Sequence, residues 1–241
     1  MATIAGRAVL ITGSNRGIGR ALVEEALRRG AGRVYAAARQ PLPADDDRVI
    51  PLTLDVTSAE QIREAVGTVE SLDILVNNAG VARYDDLGDS AVLEEHLAVN
   101  VFGLLAVTRA FLPLLTRSGG AVVNNLSVQA FAPLPLIASY SASKAAALSV
   151  TQSLRSSLGP RGVSVHAVLT GPVDTDMTRG FDIPKASAES VAAAVYDGVE
   201  KDEEDIFPDQ RSAAMADGWR NGQAKAFERE LSALARAARG A

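Results

Sequence analysis

The sequence predicts a doubly wound α/β fold, with a parallel sheet of seven strands covered by helices on both faces. Short apolar runs alternate with longer segments of helical period from residue 8 to residue 207. A glycine-rich turn joins the first run to the first helical segment. No repeat, low-complexity tract or flexible linker divides the 241 residues. Strand and helix in alternation imply βαβ units, whose strands run parallel and are buried on both sides.

The expected strands are 8–11, 33–38, 49–54, 74–76, 121–125, 163–168 and a short 205–207, rich in Val, Ile and Leu and bounded by Gly, Pro, Asn or Asp. The expected helices are about 18–29, 58–68, 90–115, 139–158 and 187–200. In 139–158, Ala142, Ala146, Val150, Leu154 and Leu158 recur every four residues and predict one apolar stripe. Gly159 and Pro160 then stop the helix. The acidic run 45–47 reads as a solvated loop. Beyond Pro208, Met215, Trp219, Phe227, Leu231 and Leu234 fall at helical spacings, with a break near 218–222. One or two amphipathic helices are expected there, packed into the core or covering the sheet edge, the site mouth or a subunit contact. The chain, 1–241, thus reads as one domain, with about 209–241 a helical C-terminal extension.

Hydrophobic residues make up 47% and charged residues 22% of the chain, which excludes a disordered, collagen-like or disulfide-stapled protein. The absence of cysteine removes thiolate chemistry and cysteine metal sites. With only His96 and His166, no zinc centre is expected, and His166 reads as a packed core histidine. The net charge of −5 argues against a nucleic-acid partner. No segment reads as a targeting signal, and none reaches the roughly 18 uninterrupted apolar residues that span a bilayer. A cytoplasmic protein with no membrane partner is the expectation.

The first strand ends in Thr12-Gly13-Ser14-Asn15-Arg16-Gly17-Ile18-Gly19. Gly13 permits a tight turn, Gly17 lets the backbone approach a pyrophosphate, and Gly19 lets the helix pack close to the strand. The helix N-terminus that follows offers free N–H groups and a positive dipole end to phosphates. An acidic residue ending the second strand would bind both ribose hydroxyls of a dinucleotide; this chain has Arg39 instead. Arg39, with Arg16 on the same side, can pair with a 2′-phosphate, so NADP(H) is the expected cofactor. Asp55, followed by Val56, either reaches the adenine amine or caps the helix beginning near Ser58. In Asn77-Asn78-Ala79-Gly80, small residues would pass under the cofactor, whereas Asn77 can also tie neighbouring strands.

Tyr140 and Lys144 lie four apart at the start of a helix and so share a face. A nearby ammonium stabilises a phenolate, and the expectation is a tyrosine pKa below its usual value near 10. Ser127, at the end of the fifth strand, can share a substrate carbonyl oxygen with the tyrosine.

These residues, with Asn100 and Gly171-Pro172-Val173-Asp174-Thr175, make the chain resemble the short-chain dehydrogenase/reductase family over about residues 7–207. The resemblance implies a Rossmann-type fold and an NADP(H)-preferring, carbonyl reductase-like enzyme acting reversibly on an aldehyde or ketone. It implies that Tyr140 is the general acid and base, that Ser127 polarises the carbonyl, and that Lys144 binds the nicotinamide ribose and depresses the tyrosine pKa. Asn100 would position a water behind the lysine, and Val173 and Thr175 would contact the nicotinamide carboxamide. Cofactor contacts are expected at Gly13, Asn15, Arg16, Gly17, Ile18, Gly19, Arg39, Asp55, Val56, Asn78, Ala79, Gly80, Tyr140, Lys144, Val173 and Thr175. A homodimer or homotetramer joined through helices 90–115 and 139–158 is also implied. The chain departs from the family pattern at Thr170, where proline is frequent, and in a short 175–187 segment that predicts an open site for which the C-terminal extension compensates. Two rival readings are a 3-oxoacyl-carrier-protein reductase, with Arg109, Arg117 and Arg161 receiving an acidic carrier, and a non-catalytic NADP(H)-binding sensor or scaffold.

Overall fold

The computed structural model describes residues 3–43 and 45–240, with the side chains at 236, 239 and 240 outside the description. Seven strands form the sheet: β1 (Ala8–Thr12), β2 (Arg33–Ala38), β3 (Val49–Thr53), β4 (Ile74–Asn77), β5 (Ala121–Asn125), β6 (Ser164–Val168) and β7 (Asp205–Ile206). All pair in parallel, in the order β3-β2-β1-β4-β5-β6-β7. Strand order reverses between β1 and β4, the switch point where open α/β sheets leave a crevice at their carboxyl ends.

Period-two alternation divides the core between the two faces. Val9 and Ile11 of β1 join Val34, Val76 and Val123 beneath α1 (Gly17–Arg28) and α6 (Ala188–Glu200). Leu10, Ala37, Leu75 and Val122 face the other way, toward α2 (Ala59–Thr68) and the helical run Ser90–Ser118. Each large apolar side chain removed from water in this way contributes about 1.5–3 kcal/mol before entropic costs.

The expected helix 90–115 runs on to Ser118 and is not uniform. It comprises α3 (Ser90–Leu97), a π-helical segment (Ala98–Gly103) and α4 (Leu104–Ser118), ending at Gly119 in the left-handed region (φ 60°). By length and composition the run could cross a bilayer, yet Val107, Phe111 and Leu115 are fully buried in the core.

The stripe expected on α5 (Ala138–Leu158) holds in part: Ala146, Val150 and Leu154 pack half-buried against the core and Leu158 is buried. Ala142 is exposed, and the buried face runs through Tyr140, Ser143, Lys144, Ala147 and Thr151. At about 100° per residue, a strict four-residue repeat drifts about 40° per step and winds off any one face. Alternating steps of three and four hold the face, and here that face is polar because it carries the site.

Beyond β7 the chain forms α7 (Gln210–Arg220) and α8 (Gln223–Gly240), parted at Asn221 and Gly222. Trp219 packs on Phe131 with ring centroids 4.4 Å apart. Phe227, Leu231 and Leu234 do not enter the core; they face outward. What anchors α8 is charge. Lys225, 1% exposed, reaches Asp205 at 2.7 Å and Glu204 and Glu228 at 3.0 Å, while Arg155 of α5 binds Asp205 and Glu228.

Candidate active site

A cleft of about 1090 Å³ lies at the carboxyl ends of the strands. Gly13, Asn15, Arg16, Gly17, Ile18 and Gly19 form one wall, and Arg39, Asp55 and Val56 another. Asn78, Ala79 and Gly80 form its floor, and Ser127, Tyr140, Lys144, Val173 and Thr175 its far end.

Close packing dictates the glycines of the first wall. Gly13 has φ +67°, and a Cβ there would lie 2.9 Å from the Ala79 Cα. A Cβ on Gly19 would lie 2.1 Å from the Gly13 carbonyl oxygen, so only glycine lets α1 start against the loop. Asn78 clamps this turn: its Nδ2 donates to the carbonyls of Thr12 (3.0 Å) and Gly13 (3.1 Å), and its Oδ1 accepts from Asn125 at 2.9 Å. Asn15 donates to the Gln40 carbonyl, tying the loop to the end of β2. Asn77 is a strand tie: it donates to Asn124 at 2.8 Å and to Thr108 of α4 at 2.9 Å.

The two cations expected to work together are placed differently. Arg39 is exposed at the cleft wall near Asp55 and forms no ion pair among the described residues. Arg16 reaches Asp176, in the loop after β6, at 3.0 Å. That pair is solvent-exposed and worth no more than about 1 kcal/mol, so a stronger anion can displace it. Asp55 does not cap α2; Ser58 does, accepting from the Gln61 N–H at 3.3 Å. Asp55 accepts instead from the Thr57 hydroxyl (2.7 Å) and N–H (2.9 Å), which hold its carboxyl below the usual range. Val56 fits under the helical run because residue 103 is glycine: a Cβ there would lie 2.6 Å from Val56 Cγ2.

At the far end Ser127 caps a one-turn 3-10 helix (Val128–Ala130) after β5, and Tyr140 and Lys144 project from the first turns of α5. All three are buried. Lys144 Nζ donates to the Asn125 carbonyl at 2.8 Å and lies 5.5 Å from the centre of the Tyr140 ring. The expected depression of the tyrosine pKa is not found. Burial pushes Tyr140 up to about 12, with the neighbouring Ser127 hydroxyl acting weakly in the opposite sense. Burial also brings Lys144 down to about 8, which leaves the amine mainly charged at neutral pH.

Asn100 occupies the π-helical segment. Its Oδ1 accepts from the Val81 N–H (2.9 Å), and its Nδ2 donates to the Val81 carbonyl (3.0 Å) and to Ser143 Oγ (2.9 Å). It thereby fastens the loop after β4 to α5. Val173 is buried and bridges to Ala186, and Thr175 opens the turn 176–178. Thr170 uses a hydroxyl that proline lacks, donating to the Leu126 carbonyl at 3.1 Å.

Three contributors carried no signal in the sequence. Asp85, from the loop after β4, accepts from the Ser139 N–H at 3.1 Å and so caps α5 one residue before Tyr140. His96, fully buried, donates to the Val92 carbonyl at 2.6 Å, accepts from the Arg83 N–H at 3.1 Å and stands edge-on to Tyr140. Gln129 accepts a hydrogen bond from Ser127. Nothing within a few residues of any of them announces the contact. His166 is buried in β6, with its Nδ1 on the Glu203 carbonyl.

The short 175–187 segment does not leave the cleft bare. Met177, Phe181 and Ile183 line it, and Phe181 stacks on Tyr84 of the opposite loop with centroids 5.6 Å apart. No described residue of α7 or α8 lines the cleft, so the extension does not compensate for a missing lid. It meets the site at Gly171, whose N–H donates to Asp209 at 2.7 Å.

The family model described as short chain dehydrogenase matches residues 7–185. Short-chain dehydrogenase PC-15 of Penicillium crustosum is 40% identical over 217 residues, covering 81% of this chain and 78% of that protein. A short chain dehydrogenase from Burkholderia cenocepacia, solved in complex with NADP, superposes with a TM-score of 0.87 at 36% identity, covering 95% of this chain and 99% of that one. A 3-ketoacyl-(acyl-carrier-protein) reductase from Brucella melitensis, complexed with NADH, superposes with a TM-score of 0.78 over 87% of this chain and 99% of that one; at 24% identity it shows the fold alone. By the family model and the extent of these matches, the chain belongs to the short chain dehydrogenase family.

Proposed function

We propose that the protein reduces an aldehyde or ketone to an alcohol, reversibly, with NADPH as its partner. The observation that carries this reading is the convergence of Ser127, Tyr140 and Lys144 in one cleft with a glycine loop free of obstructing side chains. The cleft suits a phosphorylated dinucleotide. The turn at Gly13–Gly19 exposes the N-terminus of α1 to a pyrophosphate, and Arg39 offers a guanidinium, without an ion pair among the described residues, to a 2′-phosphate. Arg16 can release Asp176 to join it. The NADP printed for the Burkholderia cenocepacia relative supports the same choice. When bound, the dinucleotide supplies the hydride.

The chain's own residues manage the oxygen. A phenol held at about 12 is fully protonated at neutral pH, so Tyr140 is ready to give its proton to the carbonyl oxygen as hydride adds to the carbon. Ser127 donates a hydrogen bond to the same oxygen. Lys144, charged below about 8, draws negative charge toward the tyrosine and binds the ribose hydroxyls. Asn100 and Asp85 hold the two segments that fix α5, and Val173 and Thr175 border the nicotinamide end. In the oxidative direction the same groups act in reverse.

The carrier-protein alternative has less support: Arg109, Arg117 and Arg161 do not line the cleft. The sensor alternative does not explain why a buried proton donor and a hydroxyl face each other there. A second copy of the chain is the proposed partner, docking on the helical run Ser90–Ser118 and on α5, whose outward faces carry Phe102, Ala106, Ala142 and Ala145. Light scattering that returned a monomer mass would remove that part. The function is tested by incubating the protein with a panel of ketones and aldehydes and either NADPH or NADH. Oxidation of NADPH with formation of the alcohol is expected. Tight NADPH binding without turnover would favour the sensor, and turnover of carrier-bound substrates alone would favour the rival reductase.

A further inference from the structure

Gln129 follows Ser127 by two residues, and its carboxamide controls what that hydroxyl can do. The Gln129 Oε1 accepts the Ser127 proton, and the Gln129 backbone N–H donates to Ser127 Oγ at 3.2 Å. The carbonyl of Thr170, 3.3 Å away, is a second protein acceptor facing the hydroxyl. Serine has one proton to give. While that proton points at Gln129, it is withheld from a carbonyl oxygen entering the cleft.

A carboxamide has a property that neither an apolar nor an ionised acidic side chain shares: one end accepts and the other donates. Its terminal torsion is broad and roughly two-fold. Rotated by half a turn, Gln129 presents Nε2–H to Ser127 Oγ. No described residue accepts from Nε2 in the present orientation, so the rotation forfeits no hydrogen bond there. Ser127 then receives a second hydrogen bond, beside that from the Gln129 backbone N–H, and directs its own proton at the substrate. Such a chain polarises each member in turn and strengthens the last bond.

We infer that Gln129 is a positioning residue that converts Ser127 from a hydroxyl satisfied by the protein into a donor aimed at the substrate oxygen. The inference rests on the carbonyl-reducing reading above. It makes a leucine at this position silent toward Ser127 and a glutamate a trap, because a carboxylate accepts the Ser127 proton in a charge-assisted bond and cannot donate in return.

The experiment compares the parent with Gln129→Leu and Gln129→Glu on a carbonyl compound that the parent reduces. The expected loss in kcat is about tenfold for leucine and about a hundredfold for glutamate at pH 8, with the KM for NADPH changed less than about twofold. On acidification the introduced glutamate regains a proton and with it a donor. The kcat of Gln129→Glu relative to the parent therefore climbs as pH falls toward about 5. Tyr140, Lys144, Asp55, Asp176 and the Arg83–Glu95 pair, which also border the cleft, are common to both proteins and cancel from that ratio. In a Ser127→Ala background, Gln129→Leu costs nothing further, because its effect passes through Ser127.

Parent-like kcat in both variants overturns the inference, as does a Glu-to-parent ratio flat with pH. A raised KM for the carbonyl at unchanged kcat would make Gln129 a direct substrate contact and also overturn it. An undiminished loss in the Ser127→Ala background would show a structural role instead. If the parent reduces no carbonyl at all, the proposed function fails first and this inference falls with it.

Discussion

Two buried lysines show how differently one fold treats the same side chain. Lys225, on the C-terminal helix, meets three carboxylates within 3.0 Å. Lys144, in the cleft, has a backbone carbonyl as its hydrogen-bond acceptor and no carboxylate in ion-pair range among the described residues. Lys225 is satisfied and holds α8 to β7. Lys144 is left short of negative charge, and burial lowers its pKa to about 8. A satisfied buried cation is architecture, whereas an unsatisfied one stores an affinity that a ligand or a charged transition state can meet.

The contrast is broken most directly by removing each amine in turn. Lys144→Met is expected to lower reductase activity by about two to four orders of magnitude, with folding stability unchanged or raised, since an underpaired buried charge is lost. Lys225→Met is expected to do the opposite. It leaves Asp205, Glu204 and Glu228 facing one another and should cost about 3–5 kcal/mol of stability, while leaving kcat of the folded fraction near that of the parent. Paired melting curves and rates check both. Equal losses of stability in the two variants would erase the distinction.

A smaller effect sharpens it through pH. Lys144 is charged below about 8 and neutral above. For carbonyl reduction, kcat/KM reports groups of the free enzyme, and above pH 8 it should fall toward about tenfold per unit. Tyr140, up at about 12, contributes no step in that range. A profile level to pH 10 would show that the amine charge is not used. Smaller again is the effect of Arg39→Asp, which removes a cation that has no ion pair among the described residues. A drop of roughly 10–100-fold in the NADPH-to-NADH preference is expected from the exchange of a charge-assisted bond for a repulsion. An unchanged ratio would show that Arg39 does not meet the 2′-phosphate.

What could be read before the structure follows from how far each signal reaches. The strands were legible because burial on both faces writes continuous apolar runs such as Val9–Ile11 and Val122–Val123. The glycine turn and the Tyr140–Lys144 spacing were legible because their geometry is set within one turn of chain. The stripe on α5 was legible from Ala146 to Leu158, whereas the buried side that carries the site, with Ser143, Ala147 and Thr151, is marked by no hydropathy pattern. Asp85 on Ser139, Arg16 on Asp176 and Lys225 on Asp205 join residues distant in sequence or brought together by the sheet. Polar pairs of that kind depend on the tertiary arrangement alone. The outward turn of Phe227, Leu231 and Leu234 has the same origin, because the charged face of α8 found partners in Arg155 and Asp205.

The central claim is that the buried Tyr140 hydroxyl delivers the proton in carbonyl reduction. Its most direct test is a single-turnover comparison of the parent with Tyr140→Phe, with NADPH binding titrated in the same samples. The account predicts a loss of about 10²–10⁴ in the rate of alcohol formation, with the NADPH dissociation constant within about twofold of the parent. Alcohol formed by the phenylalanine variant at the parent's rate would contradict it.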